Sequence, residues 1–331
     1  MNATTMNAVI CTQYGQPEVL RYQEVSKPIP KEGELLIKIQ AAVAATADTM
    51  MRRGVPRYAR LFLGLRRPKM PIIGTGFAGI VEATGPGVKH YQPGDAVFGE
   101  TGVRFSANAE YVCVAEEGLL MPLPQHMRYE EAAPLCDGAL TSLNFLKVLA
   151  GVQPGQRVLI NGASGGLGTA AVQLARYFGA EVTGVCSNRN AELVRALGAQ
   201  EVIDYNEVDF TQNEASYDII YDTIGVRSFE ECQGALRVGG IYMSPKLSLS
   251  LLWRVLSTSV FSPSGKRAKF SATGLQPVPM LRKLLREIVE LVEAGHLRTV
   301  IDRRYPLSEA VEAHRYVDGG HKRGNVVLVM D

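Results

Sequence analysis

Residues 157–186, RVLINGASGGLGTAAVQLARYFGAEVTGVC, decide the fold. "RVLING" reads as a buried strand, and "GTAAVQLARYFG" as a helix ended by Gly179. "EVTGVC" reads as the next strand. This order predicts a βαβ unit of a parallel, doubly wound sheet. Gly162, Gly165 and Gly168 lie between the first strand and the helix. Without Cβ atoms they let the backbone approach a pyrophosphate, and the first N–H groups of the helix face it with the positive end of the dipole. A glycine triplet alone is weak evidence. The flanking strand and helix favour a dinucleotide site over a tight turn that binds nothing.

About 20 residues beyond such a turn, an Asp or Glu usually holds the adenosine ribose 2′-hydroxyl. Here the strand runs out into Cys186, Ser187, Asn188 and Arg189. Ser187 offers a hydroxyl and Arg189 a fork of donors suited to a phosphate. Tyr205, ending "VIDY", supplies a further hydroxyl nearby. The set predicts NADP(H) rather than NAD(H). The plainer reading is a polar loop in which Asn188 or Asn190 caps the next helix, and both readings can hold together.

The rest of the chain fits a globular protein with two textures. Of 331 residues, 46% are hydrophobic and 21% charged, and the net charge of +2 makes no case for nucleic acid. No secretory signal opens the chain and no apolar run reaches a membrane span of about 20 residues. Five scattered cysteines without a CxxC fit a reducing cytoplasm. Up to about residue 125 short strands alternate with Gly and Pro turns. After Pro154 strands and helices alternate through "NAELVRALG", "EVIDY", "YDIIYDTIG", a helix through "FEECQGAL" and "GGIYMS". Residues 245–278 read as a long irregular stretch. "MLRKLLREIVELVEAG" and "SEAVEAHRYVDGG" are helical, and "NVVLVM" is a last strand.

With these residues in place, the chain resembles the zinc-free medium-chain dehydrogenases/reductases of the quinone oxidoreductase-like branch. The resemblance rests on "GQPEVL", "IKIQAAVAATADTMMRRG", "GTGFAGIVEATGPGV", "PGDAVFG", "EEAAPLCDGALTS", "PGQRVLINGASGGLGTAAVQLAR" and "VIDRRYPLSEAVEAHRYVDGGHKRGNVVLVM", in that order. It implies an α/β protein: a GroES-like β-rich catalytic domain over residues 1–127, a Rossmann NADP-binding domain over 128–277, and a return to the catalytic domain over 278–331. It makes "RAKFSATG" the sixth Rossmann strand. It places nicotinamide and substrate in a cleft between the domains, and implies a homodimer formed through the Rossmann sheet edge. Thr141 would contact the nicotinamide end. Ser164, Gly165, Gly166, Leu167, Gly168, Ser187, Arg189, Tyr205, Ile224, Ser244 and Asn325 complete the expected cofactor set.

The zinc ligands of the wider family fall on Ala45, Thr75 and Asp137. Catalytic zinc needs about three Cys, His or carboxylate ligands, so no metal is expected. The expected activity is hydride transfer from NADPH to a quinone, enone or similar activated carbonyl of a small-molecule substrate. A zinc-independent carbonyl or alcohol oxidoreductase of a biosynthetic pathway is the rival enzyme reading. A catalytically weak NADPH-binding interaction protein is the reading from another class, kept open because Ala45 replaces the family's Asn. Asp137, Asp48 and Tyr58 are the proton-handling candidates beside Thr141. The plainer reading is preferred for each: Asp137 as a helix N-terminal carboxylate, Asp48 as the partner of an arginine, and Tyr58 as a packed surface residue. Seven basic residues between Arg52 and Lys69 read as a solvated helix face, and His314 as a surface or core residue.

Overall fold

The computed structural model describes residues 4–330. Its strands are β1 (Thr5–Cys11), β2 (Leu20–Ser26), β3 (Glu34–Val43), β4 (Gly76–Thr84), β5 (Ala96–Glu100), β6 (Tyr111–Ala115) and β7 (Leu119–Pro122). There follow β8 (Arg157–Asn161), β9 (Glu181–Cys186), β10 (Glu201–Asp204), β11 (Tyr217–Asp222), β12 (Leu236–Met243), β13 (Arg267–Lys269), β14 (Ile301–Pro306) and β15 (Asn325–Val329). The chain divides into two compact units. One comprises Met1–Asp137, Pro277–Glu293 and Thr299–Asp331, the other Gly138–Gln276 and Ala294–Arg298.

In the second unit all six strands pair in parallel, in the order β10-β9-β8-β11-β12-β13. The strand order reverses between β8 and β11. At such a switch point the connections leave in opposite directions and open a crevice at the carboxyl ends of the strands. The apolar faces of β8, β9, β11 and β12 bury Leu159, Val185, Ile220 and Tyr242 in one core. "RAKFSATG" does supply the sixth strand, β13, beside β12.

In the first unit a seven-stranded sheet runs β14-β15-β3-β4-β5-β7, with β6 paired to β3, and β1 and β2 form a separate hairpin. β3 is long because "ELLIKIQAAV" is buried on nearly every residue rather than on alternate ones. The helices Val278–Glu293 and Ala310–Asp318 return to this unit, and β15 pairs with β3.

Three local expectations need correction. Residues 245–278 are not irregular: Ser248 accepts a hydrogen bond from the Leu251 N–H and starts a helix, Leu249–Val260. Its apolar residues repeat at helical spacing on an exposed face, so burial gave no pattern to read. The helix through "FEECQGAL" stops at Cys232, because the chain turns back into β12 at Leu236. Neither Asn188 nor Asn190 caps the helix Ala191–Leu197 with its side chain. The Asn190 amide is turned inward and donates to Ser164 Oγ at 3.1 Å.

Candidate functional site

The dinucleotide turn joins β8 to the helix Gly166–Tyr177, with Gly165 in the capping position and no capping side chain on the first N–H groups. Those N–H groups are the orphan donors that an anion satisfies. The three glycines have different reasons to be glycine. Gly162 has φ +77° and lies against Ile224, and a Cβ on Gly168 would sit 2.1 Å from Gly162 O. Gly168 therefore lets the helix pack onto the end of β8. A Cβ on Gly165 would meet only Gly162 O, at 3.4 Å, and would otherwise fill open space over the helix terminus. That cradle fits a pyrophosphate.

Beyond β9, Ser187 begins a short turn, Asn188–Asn190. The Arg189 side chain is exposed and holds no ion pair or hydrogen bond among the described residues. Tyr205 is also exposed and follows β10 directly, where Asp204 stands beside Cys186. The acid missing from the end of β9 is found one strand over. Asp204 accepts from the Asn188 N–H at 3.0 Å, and from the Asn206 N–H and side-chain amide at 2.9 and 2.8 Å. These bonds, led by the Asn206 N–H, hold its carboxyl below the usual range. Its acceptor capacity is spent on the loop, which it clamps in place.

A second clamp shapes the other side of the switch point. Asp222, fully buried at the end of β11, accepts from Asn161 Nδ2 at 2.9 Å and from the Gly225 and Arg227 N–H groups at 3.0 and 2.8 Å. It fixes the loop that carries half-exposed Ile224. Neither Asp204 nor Asp222 stood out in the sequence. The available signal was an Asp closing β10 and another closing β11. Ser244 is buried just past β12, with its hydroxyl facing the Lys246 N–H at 3.3 Å. Thr141 lies on the helix Gly138–Leu143, whose Ser142 hydroxyl donates to Leu167 O at 2.9 Å and ties that helix to the dinucleotide turn.

The first unit holds the acids. Asp48 is fully buried in the first turn of the helix Thr46–Arg53, accepting from the Ala45 N–H at 2.8 Å through Oδ2, while Oδ1 has no partner. It does not pair with an arginine. Arg52, one turn on, is bound to Asp318 instead. Burial pushes the Asp48 carboxyl up to about 7, with the charge of Asp137 adding to it. Glu100, at the end of β5, is pushed up to about 8 by burial and then by Asp137 and Asp48. Burial raises Asp137 as well, while Lys322 works against the rise. Lys322 is lowered by its own desolvation, against the pull of Asp137 and Asp48. Three carboxyls and one amine thus share too little water to ionise independently. Glu100 and Lys322 are the members that sequence reasoning missed, since nothing local marks them.

The remaining candidates separate. Tyr58 stands about two-fifths exposed in the turn Arg57–Ala59. Asn325, opening β15, is buried and donates from Nδ2 to Val300 O at 3.1 Å in the first unit. His314 is fully buried, and desolvation, then the Arg52 charge, lower it to about 3. The basic run is no single helix face. Arg52 is buried, Arg60 stacks on Tyr14 at 4.5 Å, and only Arg57, Arg66, Arg67 and Lys69 are well exposed.

This architecture is that of a two-unit dinucleotide-dependent oxidoreductase, and comparison with known proteins agrees. Residues 31–125 match the alcohol dehydrogenase GroES-like domain family, and residues 197–328 the zinc-binding dehydrogenase family. The spinach chloroplastic quinone-oxidoreductase homolog is 33% identical over 99% of each chain. The mouse mitochondrial NAD(P)H oxidoreductase RTN4IP1 is 31% identical over 98% of this chain and 89% of its own. The solved quinone oxidoreductase from Coxiella burnetii superposes with a TM-score of 0.88 at 29% identity, over 99% of this chain and 100% of that one. The chain belongs to the quinone oxidoreductase-like medium-chain dehydrogenases/reductases, which use a nicotinamide cofactor.

The zinc in one family's description does not fit the residues present. Ala45 and Thr75 bring no carboxylate, thiolate or imidazole to the aligned positions, and Asp137 alone cannot hold the ion. Among the described residues only His90, Glu116 and Glu117 cluster as metal donors. There Glu116 already accepts from the Lys89 and His90 N–H groups at 2.9 and 2.6 Å.

Proposed function

We propose that the protein is an NADPH-dependent reductase of quinones, enones or similarly activated carbonyls, working without a metal. The observation that carries this reading is the unpaired, exposed Arg189 beside Ser187, on a loop clamped by Asp204 and within one βαβ unit of the bare helix terminus. The first N–H groups of the helix would take the pyrophosphate, and Ser187, Arg189 and Tyr205 the 2′-phosphate. Thr141 would lie at the nicotinamide end. Ser164, whose hydroxyl is held by Asn190, and Leu167, Ile224 and Ser244 would line the rest, with Asn325 as an outlying contact. The bound nicotinamide supplies a hydride, two electrons and a proton nucleus, to an electrophilic carbon. The second proton, needed on the resulting oxyanion, is assigned to Glu100 or Asp137. Burial, then the charges of Asp137 and Asp48, push the Glu100 carboxyl up to about 8, which keeps it protonated near neutral pH, while burial raises Asp137 against the pull of Lys322. Asp48, sealed from solvent, acts by repelling charge from its neighbours.

Two further readings accompany this one. β13 ends the parallel sheet and is where a homodimer would continue it, on release of the Ala268 N–H that donates to Thr258 Oγ1 at 3.1 Å. Five unpaired cysteines, four of them buried, support a reducing compartment such as the cytoplasm.

Oxidation of NADPH and of NADH with quinones, enones and aldehydes tests the reading. Turnover of quinones or enones with NADPH preferred supports it. Turnover of aldehydes alone favours the carbonyl oxidoreductase, and tight NADPH binding without turnover the interaction protein. Arg189→Ala should raise KM for NADPH about tenfold, one lost charge-assisted contact, and leave KM for NADH unchanged.

A further inference from the structure

Residues 54–70 form a short segment of the first unit whose composition the reductase reading does not use. Its base is tied down. Arg60 Nε donates to Gly54 O at 2.9 Å and Nη2 to Arg53 O at 3.2 Å, with the guanidinium stacked on Tyr14. The Tyr14 hydroxyl donates to Gly64 O at 2.6 Å, and the Lys69 N–H to Leu63 O at 2.7 Å. The tip is held open rather than folded under. Leu61 is 65% exposed, Phe62 80% and Leu65 67%, all within five residues. Scattered exposed apolar residues need no explanation, but a cluster on a fixed base does.

What surrounds the cluster selects the occupant. Arg57, Arg66, Arg67 and Lys69 are exposed and hold no ion pair or side-chain hydrogen bond among the described residues. No acid occurs from Thr49 to Val81. Four free cations flank three exposed apolar side chains in the sequence, about a helix of one turn, Arg60–Leu63. A nucleic acid would want aromatic platforms in a groove, and Leu61 and Leu65 offer none. A bilayer with anionic headgroups matches both features: the cations meet the phosphates while Leu61, Phe62 and Leu65 enter the acyl boundary.

We infer that residues 54–70 are a peripheral docking site for an anionic lipid surface, with Leu61, Phe62 and Leu65 inserting and Arg57, Arg66, Arg67 and Lys69 engaging headgroups. The site needs no membrane-crossing helix, and none of the described helices is long and apolar enough to be one. It would bring the protein to a surface where apolar quinones and enals concentrate.

Co-sedimentation of the full chain with vesicles tests this. Two compositions are needed: phosphatidylcholine alone, and phosphatidylcholine with about one-third phosphatidylglycerol. The protein should pellet with the anionic vesicles only, and be released at about 0.5 M salt, where screening shortens the reach of the charges. Arg66→Glu with Arg67→Glu should lower the partition at least about tenfold. Leu61→Ser with Phe62→Ser should do the same, and both double variants should keep the wild-type circular dichroism and melting point. No binding to anionic vesicles, equal binding to neutral ones, or binding that survives both double variants overturns the inference. So does a concentration-dependent dimer that the Leu61→Ser, Phe62→Ser pair dissociates while vesicles bind nothing, because the patch then belongs to a second copy. The wild-type dependence on lipid and salt decides the matter even if a variant fails to fold.

Discussion

Asp204 and Arg189 act on the same short loop with opposite charge. A carboxylate near a 2′-phosphate ordinarily repels it, yet Asp204 spends its lone pairs on Asn188 and Asn206. If NADPH is the cofactor, as proposed, the clamp is expected to outweigh the repulsion. Asp204→Ala should raise KM for NADPH several-fold with kcat unchanged, because the loop loses its anchor. A fall in KM would mean that repulsion dominates. Arg189 was legible from sequence because an arginine after a strand end is a local fact. Asp204 was not, since its role depends on β10 pairing with β9 in one register.

At the scale of elements, the helices Thr46–Arg53 and Ala310–Asp318 are joined by one buried ion pair, Arg52 to Asp318. Arg52 is fully buried, with Nε and Nη1 unpartnered, and Asp318 is mostly buried. The two ends of the pair are unequal. Asp318→Ala strands a guanidinium in the interior and should cost about 3–5 kcal/mol. Arg52→Met leaves behind a carboxylate that reaches some water, and should cost less. Denaturant unfolding of both variants checks the order. In sequence Arg52 looked like one of seven solvated cations, and only the packing of a helix some 260 residues further on removes it from water. The helix Leu249–Val260 erred in the other direction. Its apolar face stays exposed, so the usual link between periodicity and burial did not apply.

Over the whole molecule, two kinds of buried group pull stability in opposite directions with pH. Glu100 rises from 4.5 to about 8 and Asp48 from 3.8 to about 7 on folding. Their contribution is complete below the unfolded values and is lost as pH rises through the folded ones. His314 falls from 6.5 to about 3, so its contribution is present above 6.5 and is lost as pH falls toward 3. Glu100→Gln should therefore melt above the wild type at pH 8–9, with the difference closing toward pH 4.5. His314→Leu should flatten the acid limb between pH 6.5 and 3 instead. Melting curves across that range separate the two. An unchanged alkaline limb in Glu100→Gln would show that this carboxyl ionises freely.

By itself, the sequence determined the parallel sheet, the glycine turn at the end of β8 and the loop beyond β9. Each is written in contiguous residues whose backbone geometry and periodicity are local properties. The sixth strand, β13, was legible only through resemblance, because three residues carry no period of their own. Tertiary structure alone decided the charge states. It gathered Asp48, Glu100, Asp137 and Lys322 from positions spread over more than 270 residues, and it turned Asp204 into a clamp and Arg52 into a buried ion. Ionisation depends on how much water and which charges surround a group. Those neighbours come from other strands and helices, so no window of sequence contains them.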